Sequence, residues 1–182
     1  MKGKYNPEIH HRRSIRLKGY DYTQPWAYFV TVCTYQWKCL FGEVVDGKIR
    51  LNEYGQIVKE CWEWLSHQYS YVKAEEYVVM PNHLHGIILI TDDCRGGSRT
   101  APTGIIKRKP LGRLIGAFKT VSSKHINKIH YISGSSIWQR NYYEHIIRNE
   151  NELNLIREYI INNPAQWADD ENNPNNFTQS YL

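Results

Sequence analysis

The chain has 182 residues, of which 41% are hydrophobic and 23% charged. That length suits one domain of ordinary size, and the balance excludes a disordered chain. The net charge of +5 is unevenly spread: residues 94–143 hold ten Lys and Arg without one Asp or Glu, whereas residues 144–182 hold two against seven.

Residues 1–24 read as a basic arm with little apolar periodicity. A strand is expected over residues 27–35, where aromatic and β-branched residues follow one another. Residues 43–51 read as a hairpin, with Asp46-Gly47 supplying the positive φ angles of a tight turn. Asn52 is placed to cap a helix whose inner face would carry Ile57, Cys61, Trp64 and Leu65. Strands over residues 72–80 and 83–91 are separated by Pro81-Asn82, and residues 92–110 form a linker rich in Gly, Pro and basic residues.

A second helix is expected over residues 111–129, with Leu111, Leu114, Ile115, Phe118 and Val121 inward and Arg113, Lys119, Lys124 and Lys128 outward. One more strand spans about residues 137–147. Asn149 caps the last helix, with Glu152 three residues on, and the helix ends before Pro164. Its apolar stripe is Leu153, Ile156 and Ile160. Residues 169–182 read as a polar tail, loosely attached. Strands that run into strands, with helices between pairs, point to an α+β fold: an antiparallel sheet covered by helices.

A fifty-residue stretch without a carboxylate is the electrostatic footprint of a polyanion partner. Candidate contacts are Arg12, Arg13, Arg16 and Lys18 in the arm, then Lys107, Arg108, Lys109, Arg113, Lys119, Lys124 and Arg140. Charge alone does not separate DNA from RNA, and a solvated basic surface has the same composition. The four cysteines lack C-x-x-C spacing, and no apolar leader follows the basic start, so reduced thiols and a cytoplasmic location are expected.

His83-Leu84-His85 lies at the start of a strand, where residues i and i+2 share a face. Two imidazoles can therefore converge on one metal ion, with a third ligand drawn from elsewhere in the chain. Gly86 would let a substrate backbone come close. With eight histidines in the chain the bare pair is weak; its setting between two hydrophobic strands gives it weight. On the last helix, Tyr159 and Asn163 lie one turn apart on a flank of the apolar stripe. A boundary tyrosine and a site tyrosine both satisfy that pattern.

Several blocks occur in order: Tyr28-Phe29-Val30-Thr31-Val32-Cys33-Thr34, Met80-Pro81-Asn82-His83-Leu84-His85-Gly86, Trp138-Gln139-Arg140 and Tyr159-Ile160-Ile161-Asn162-Asn163-Pro164. Together with Arg13-Ser14-Ile15-Arg16-Leu17-Lys18-Gly19-Tyr20, the chain resembles the REP-associated tyrosine transposases of the HUH endonuclease superfamily, from about Arg12 to Trp167. The resemblance implies a ferredoxin-like or RRM-like palm over residues 25–168 and a single-strand DNA endonuclease and strand transferase. It further implies His83, His85 and Asn163 as ligands of Mg²⁺ or Mn²⁺, and Tyr159 as a nucleophile that forms a 5′-phosphotyrosine. The implied partners are single-stranded, REP-like DNA hairpins, with a nucleoid-associated location and either a monomer or a homodimer. A non-catalytic RRM-like module, stacking bases on Tyr28, Phe29 and Tyr77, is the alternative.

Overall fold

Strand β1, Ala27–Cys33, is the spine of the fold, and five of its seven residues are buried. The architecture is that of a computed structural model, which describes residues 17, 19–92, 107–129 and 135–179. After β1 come the hairpin strands β2 (Gly42–Val45) and β3 (Lys48–Leu51), helix α1 (Glu53–Gln68), and strands β4 (Val72–Val79) and β5 (His83–Ile90). Helix α2 (Leu111–Ile129), strand β6 (Tyr143–Ile147) and helix α3 (Glu150–Asn162) follow, then 3₁₀ segments over Asn163–Asp169 and Pro174–Gln179.

The main sheet is ordered β4-β5-β1-β6, with every neighbouring pair antiparallel. Leaving aside the inserted β2–β3 hairpin, β1-α1-β4-β5-α2-β6 is the ferredoxin-like βαββαβ topology, so the expected α+β palm is present.

Alternation along the strands divides the interior in two. Tyr28, Val30 and Val32 of β1 join Leu84, Ile88 and Ile90 of β5 in a large core under α1 and α2. On the opposite face Phe29, Ile87 and Ile147 meet Ile160 of α3, flanked by Leu153 and Ile156. The apolar stripe of α3 is thus the one expected, and each fully buried aliphatic side chain contributes about 1.5–3 kcal/mol. A register shift between Ala74 and Tyr77 marks a bulge in β4. At the bulge, Glu75 accepts from Arg157 of α3 at 2.7 Å, which ties the helix to the sheet two residues before Tyr159.

Local signals give the element ends. Asp46 and Gly47 have φ of 52° and 69° in the hairpin turn. The Asn52 side chain accepts from Gly55 N at 3.0 Å and caps α1. Asn149 caps α3 by accepting from Glu152 N, while the Glu152 carboxylate reaches back to Arg148 N rather than to the cap itself.

Four expectations need correction. The inner face of α1 carries Val58, Cys61, Trp62 and Leu65, with Ile57 and Trp64 only partly buried. The strand foreseen over residues 137–147 is regular only from Tyr143; before it, Trp138 makes one isolated bridge to Thr34 and donates from Nε1 to Ser122 Oγ at 2.9 Å. The tail is not loose, because Asp170, Asn172 and Asn173 are buried. Tyr20 and Tyr22, read as part of the arm, pack edge to face at 4.8 Å and lie against the large core.

Gly86 also acts differently from the reading above. It faces the α1 side of the sheet, where an added Cβ would lie 2.5 Å from Trp62 Cζ2 and 3.1 Å from Tyr77 Cβ. The glycine makes room for Trp62, not for a substrate. Gly86→Ala should therefore destabilise the fold by about 1–3 kcal/mol through overpacking, measured by urea unfolding. A change below about 0.5 kcal/mol would mean that Trp62 moves aside freely.

Candidate active site

His83 and His85 project from β5 onto the sheet face that α3 partly covers, with ring centroids 4.4 Å apart and both rings buried. Leu84 lies in the opposite core, as period-two alternation requires. His83 Nδ1 is 2.8 Å from Asn82 Oδ1. A carbonyl oxygen only accepts, so Nδ1 carries the proton and donates, leaving a lone pair on Nε2. His85 Nδ1 is 2.8 Å from Thr31 Oγ1, and its Nε2 is 3.2 Å from the Tyr159 hydroxyl.

Asn163, the first residue after α3, is buried below the rings. Its Nδ2 donates to Asp170 Oδ2 at 3.2 Å, which turns its Oδ1 away from the carboxylate. Two buried atoms at this centre, His83 Nε2 and Asn163 Oδ1, have no hydrogen-bond partner. Both are good donors to a hard or borderline divalent ion. Among the described residues, one atom each from His83, His85 and Asp170 also lies within 4.8 Å of the others, a spacing that can hold a metal ion. The donor set thus fits a divalent cation.

Asp170 was missed in the sequence. It sits in a polar stretch that reads as solvated, and its only signal is an acidic run, Asp169-Asp170-Glu171, in a basic protein.

The electrostatics agree with a cluster that could hold a cation. Burial lowers His83 to about 4, against the Asp170 charge and the Asn163 amide, which both favour the charged ring. Burial and then the neighbouring His83 hold His85 well below its ordinary value. Both rings are therefore neutral at pH 7, the form that ligates metals. Burial raises Tyr159 to about 12, helped by Asp170 and Glu171 and opposed by a hydrogen bond from Asn163. Without a nearby positive charge this phenol stays protonated.

The His85 ring borders a cleft of about 490 Å³ also lined by Phe29, Thr31, Gln139, Tyr142, Tyr143 and Tyr159 among others. Tyr159 is 41% exposed, so its hydroxyl is reachable from solvent while its ring meets Phe29 edge to face at 6.0 Å. Alternation along a strand over residues 137–147 would send Tyr142 and Tyr143 to opposite faces. Tyr142 precedes β6, however, and both border this one cleft. Glu144 does not border it: it pairs with Val30 in the register and is buried on the α1–α2 side.

The proposed polyanion contacts fall into three groups. Arg12, Arg13, Arg16 and Lys18 lie outside the described residues. Lys107, Arg108, Lys109 and Arg113 line a groove of about 800 Å³ on α2, in the layer across the sheet from the histidines. Lys124 is exposed further along α2 and Arg140 is exposed beside the cleft, but Lys119 is partly buried. Its ammonium donates to Gln139 O and Asn141 O at 3.0 and 2.8 Å and holds the cleft wall rather than pointing to solvent. No helix among the described residues is long and apolar enough to cross a membrane.

The fold resembles that of a REP-associated tyrosine transposase bound to a REP hairpin, with a TM-score of 0.55 and 18% identity over 83% of this chain and 73% of that one. No protein-family profile matches the sequence. At the sequence level the chain is 41% identical over 178 residues to an uncharacterized protein of Haemophilus influenzae, covering 94% of this chain and 98% of that one. At that identity over nearly the full length of both, the chain belongs to the same family as the H. influenzae protein.

Proposed function

We propose that this protein is a transposase-like, single-strand DNA endonuclease and strand transferase that links itself to DNA through Tyr159. The observation that carries the reading is the placing of an exposed phenol 3.2 Å from His85 Nε2, at the rim of a buried donor cluster with unpartnered His83 Nε2 and Asn163 Oδ1. The transposase of similar fold, described with a REP hairpin, supports hairpin-forming DNA as the substrate class.

His83, His85 and Asn163 would hold a divalent ion, Mg²⁺ or Mn²⁺, with Asp170 as a further ligand from the 3₁₀ end of the chain. Such an ion supplies Lewis-acid polarisation of a phosphate oxygen and lowers the pKa of groups beside it. Tyr159 Oη forms the new bond to phosphorus as the bond from phosphorus to the 3′ oxygen breaks. The phenolic proton leaves to water at the open side of the cleft, and the departing 3′ oxygen takes a proton from that water and ends as a 3′-hydroxyl. That hydroxyl can later attack the phosphotyrosine, so rejoining needs no nucleotide cofactor. Asn163 and Tyr159 belong to the same helix end, so ligand and nucleophile are positioned by one rigid element.

The alternative, base stacking on an open sheet, loses its platform. Tyr28 is fully buried beneath the helices, Phe29 is buried under α3, and Tyr77 packs on Trp62 and donates to Glu63.

Tyr159→Phe is expected to fold, bind hairpin DNA and form no covalent adduct on a denaturing gel with Mn²⁺. Tyr142→Phe and Tyr143→Phe should still form it. Peptide mapping of the trapped adduct decides: a nucleotide on the peptide holding Tyr142 and Tyr143, with none on Tyr159, sinks the assignment.

His83→Ala or His85→Ala should lower adduct formation by more than about 100-fold, since even outer-shell changes cost about 10–100-fold, while hairpin binding survives. Wild-type rates from both variants in chelator-treated buffer with added Mg²⁺ would refute the metal site.

DNA affinity should fall steeply with salt, each neutralised phosphate adding about 0.7 to the log–log slope. Neutralising Lys107, Arg108 and Lys109 together should flatten that slope and weaken all sequences alike. An unchanged slope would move the DNA track off the α2 groove.

A further inference from the structure

We propose that Asn82 is the positioning residue that aims His83 at the cation and ties the chain at Asn172 over the site. The inference rests on the metal reading above and deepens it.

Asn82 occupies the break between β4 and β5 and is fully buried. Its backbone is fixed, since Asn82 O accepts from Thr34 N at 2.8 Å and the preceding Pro81 O accepts from Phe41 N at 3.0 Å. Its amide is fixed too. Nδ2 donates to Asn172 O at 2.7 Å and to Trp37 O at 3.2 Å, so a flipped amide would set Oδ1 against two carbonyl oxygens. Oδ1 must therefore face His83 Nδ1, where it lies at 2.8 Å.

A neutral imidazole has one proton to place. With Oδ1 beside Nδ1 the proton stays there, and Nε2 turns its lone pair into the donor cluster. An orienting partner on the distal nitrogen is what metal-bound histidines generally need.

The same amide acts on the other side of the site. Asn172, whose carbonyl Asn82 grips, donates from its backbone N and from Nδ2 to Asp170 Oδ1 at 2.6 and 2.9 Å. Asp170 Oδ2 in turn accepts from Asn163. One unbroken hydrogen-bonded path thus runs from His83 through Asn82, Asn172 and Asp170 to Asn163. It fixes one ring and the Asn163 amide at once, and it explains why a polar segment is buried here.

The test compares wild type, Asn82→Ala and Asn82→Asp by imidazole ¹⁵N spectra without metal and by calorimetric titration with Mn²⁺. The His83 signals are assigned from their loss in His83→Ala. Wild type should carry the His83 proton on Nδ1. In Asn82→Ala the Nε2-protonated form should appear and Mn²⁺ affinity should fall about 10–100-fold. Asn82→Asp keeps an acceptor beside Nδ1 and should keep the Nδ1-protonated form, although it loses the two bonds to the Asn172 and Trp37 carbonyls. Folding of both variants is read separately, from circular dichroism and the thermal midpoint. An unchanged His83 tautomer in Asn82→Ala overturns the proposal, even if affinity falls, because the Asn172 link alone would then explain the loss. A changed tautomer with unchanged affinity overturns it as well. A wild-type chain that binds no Mn²⁺ fails the metal reading and the proposal with it, a result separate from either of these.

Discussion

Two neutral imidazoles buried side by side, one of them with an unpartnered Nε2, set the terms for the last third of the chain. Leaving a buried acceptor unpartnered costs about 1–3 kcal/mol, and this centre holds two such atoms, His83 Nε2 and Asn163 Oδ1. Filling the space with apolar side chains would be the simpler packing. Instead α3 stops at Asn162, the chain turns through a 3₁₀ segment, and Asp170 and Asn172 fold back to complete a polar shell. Even the hairpin comes close, since a Cβ added at its Gly47 would lie 3.4 Å from the Ala165 Cα. A cost kept at one spot, with several elements bent toward it, is what a binding centre looks like from the packing side.

Elements specified by neighbours in sequence were legible. The Asp46-Gly47 turn, the Asn52 and Asn149 caps, the full span of α2 and the stripe of α3 follow from local chemistry. The face shared by His83 and His85, and the flank shared by Tyr159 and Asn163, follow from period alone. What failed depended on distant partners. Residues 137–142 have strand-like composition, but Trp138 leaves the sheet to pack on Phe41 and Phe118. Val58 and Trp62 displace Ile57 and Trp64 from the inner face of α1 because Gly86 opens a slot for the indole. Asp170 and Asn172 look like solvated tail residues, since nothing nearby announces that histidines some ninety positions earlier will require them.

Charge is segregated in space as well as in sequence. The carboxylates of Asp170 and Glu171 stand near the phenol, and together with burial they keep Tyr159 protonated. The densest cations, Lys107 to Arg113, lie before and at the start of α2, across the sheet. Were these cations beside the hydroxyl, the phenol would ionise, and a phosphate could be held there, without any metal. As built, the negative surroundings would repel a phosphodiester unless a cation held at this centre offset their charge. On the proposed function, attraction of a polyanion and activation of the nucleophile would therefore sit in separate layers of the fold. On the proposed reading, basic side chains around the start of α2 would hold nucleic acid at a distance, and the phenol would become reactive only where histidine, amide oxygen and carboxylate meet a cation. That separation would give the proposed chemistry a second condition beyond binding, as an enzyme needs when its covalent intermediate must not form on every strand it touches.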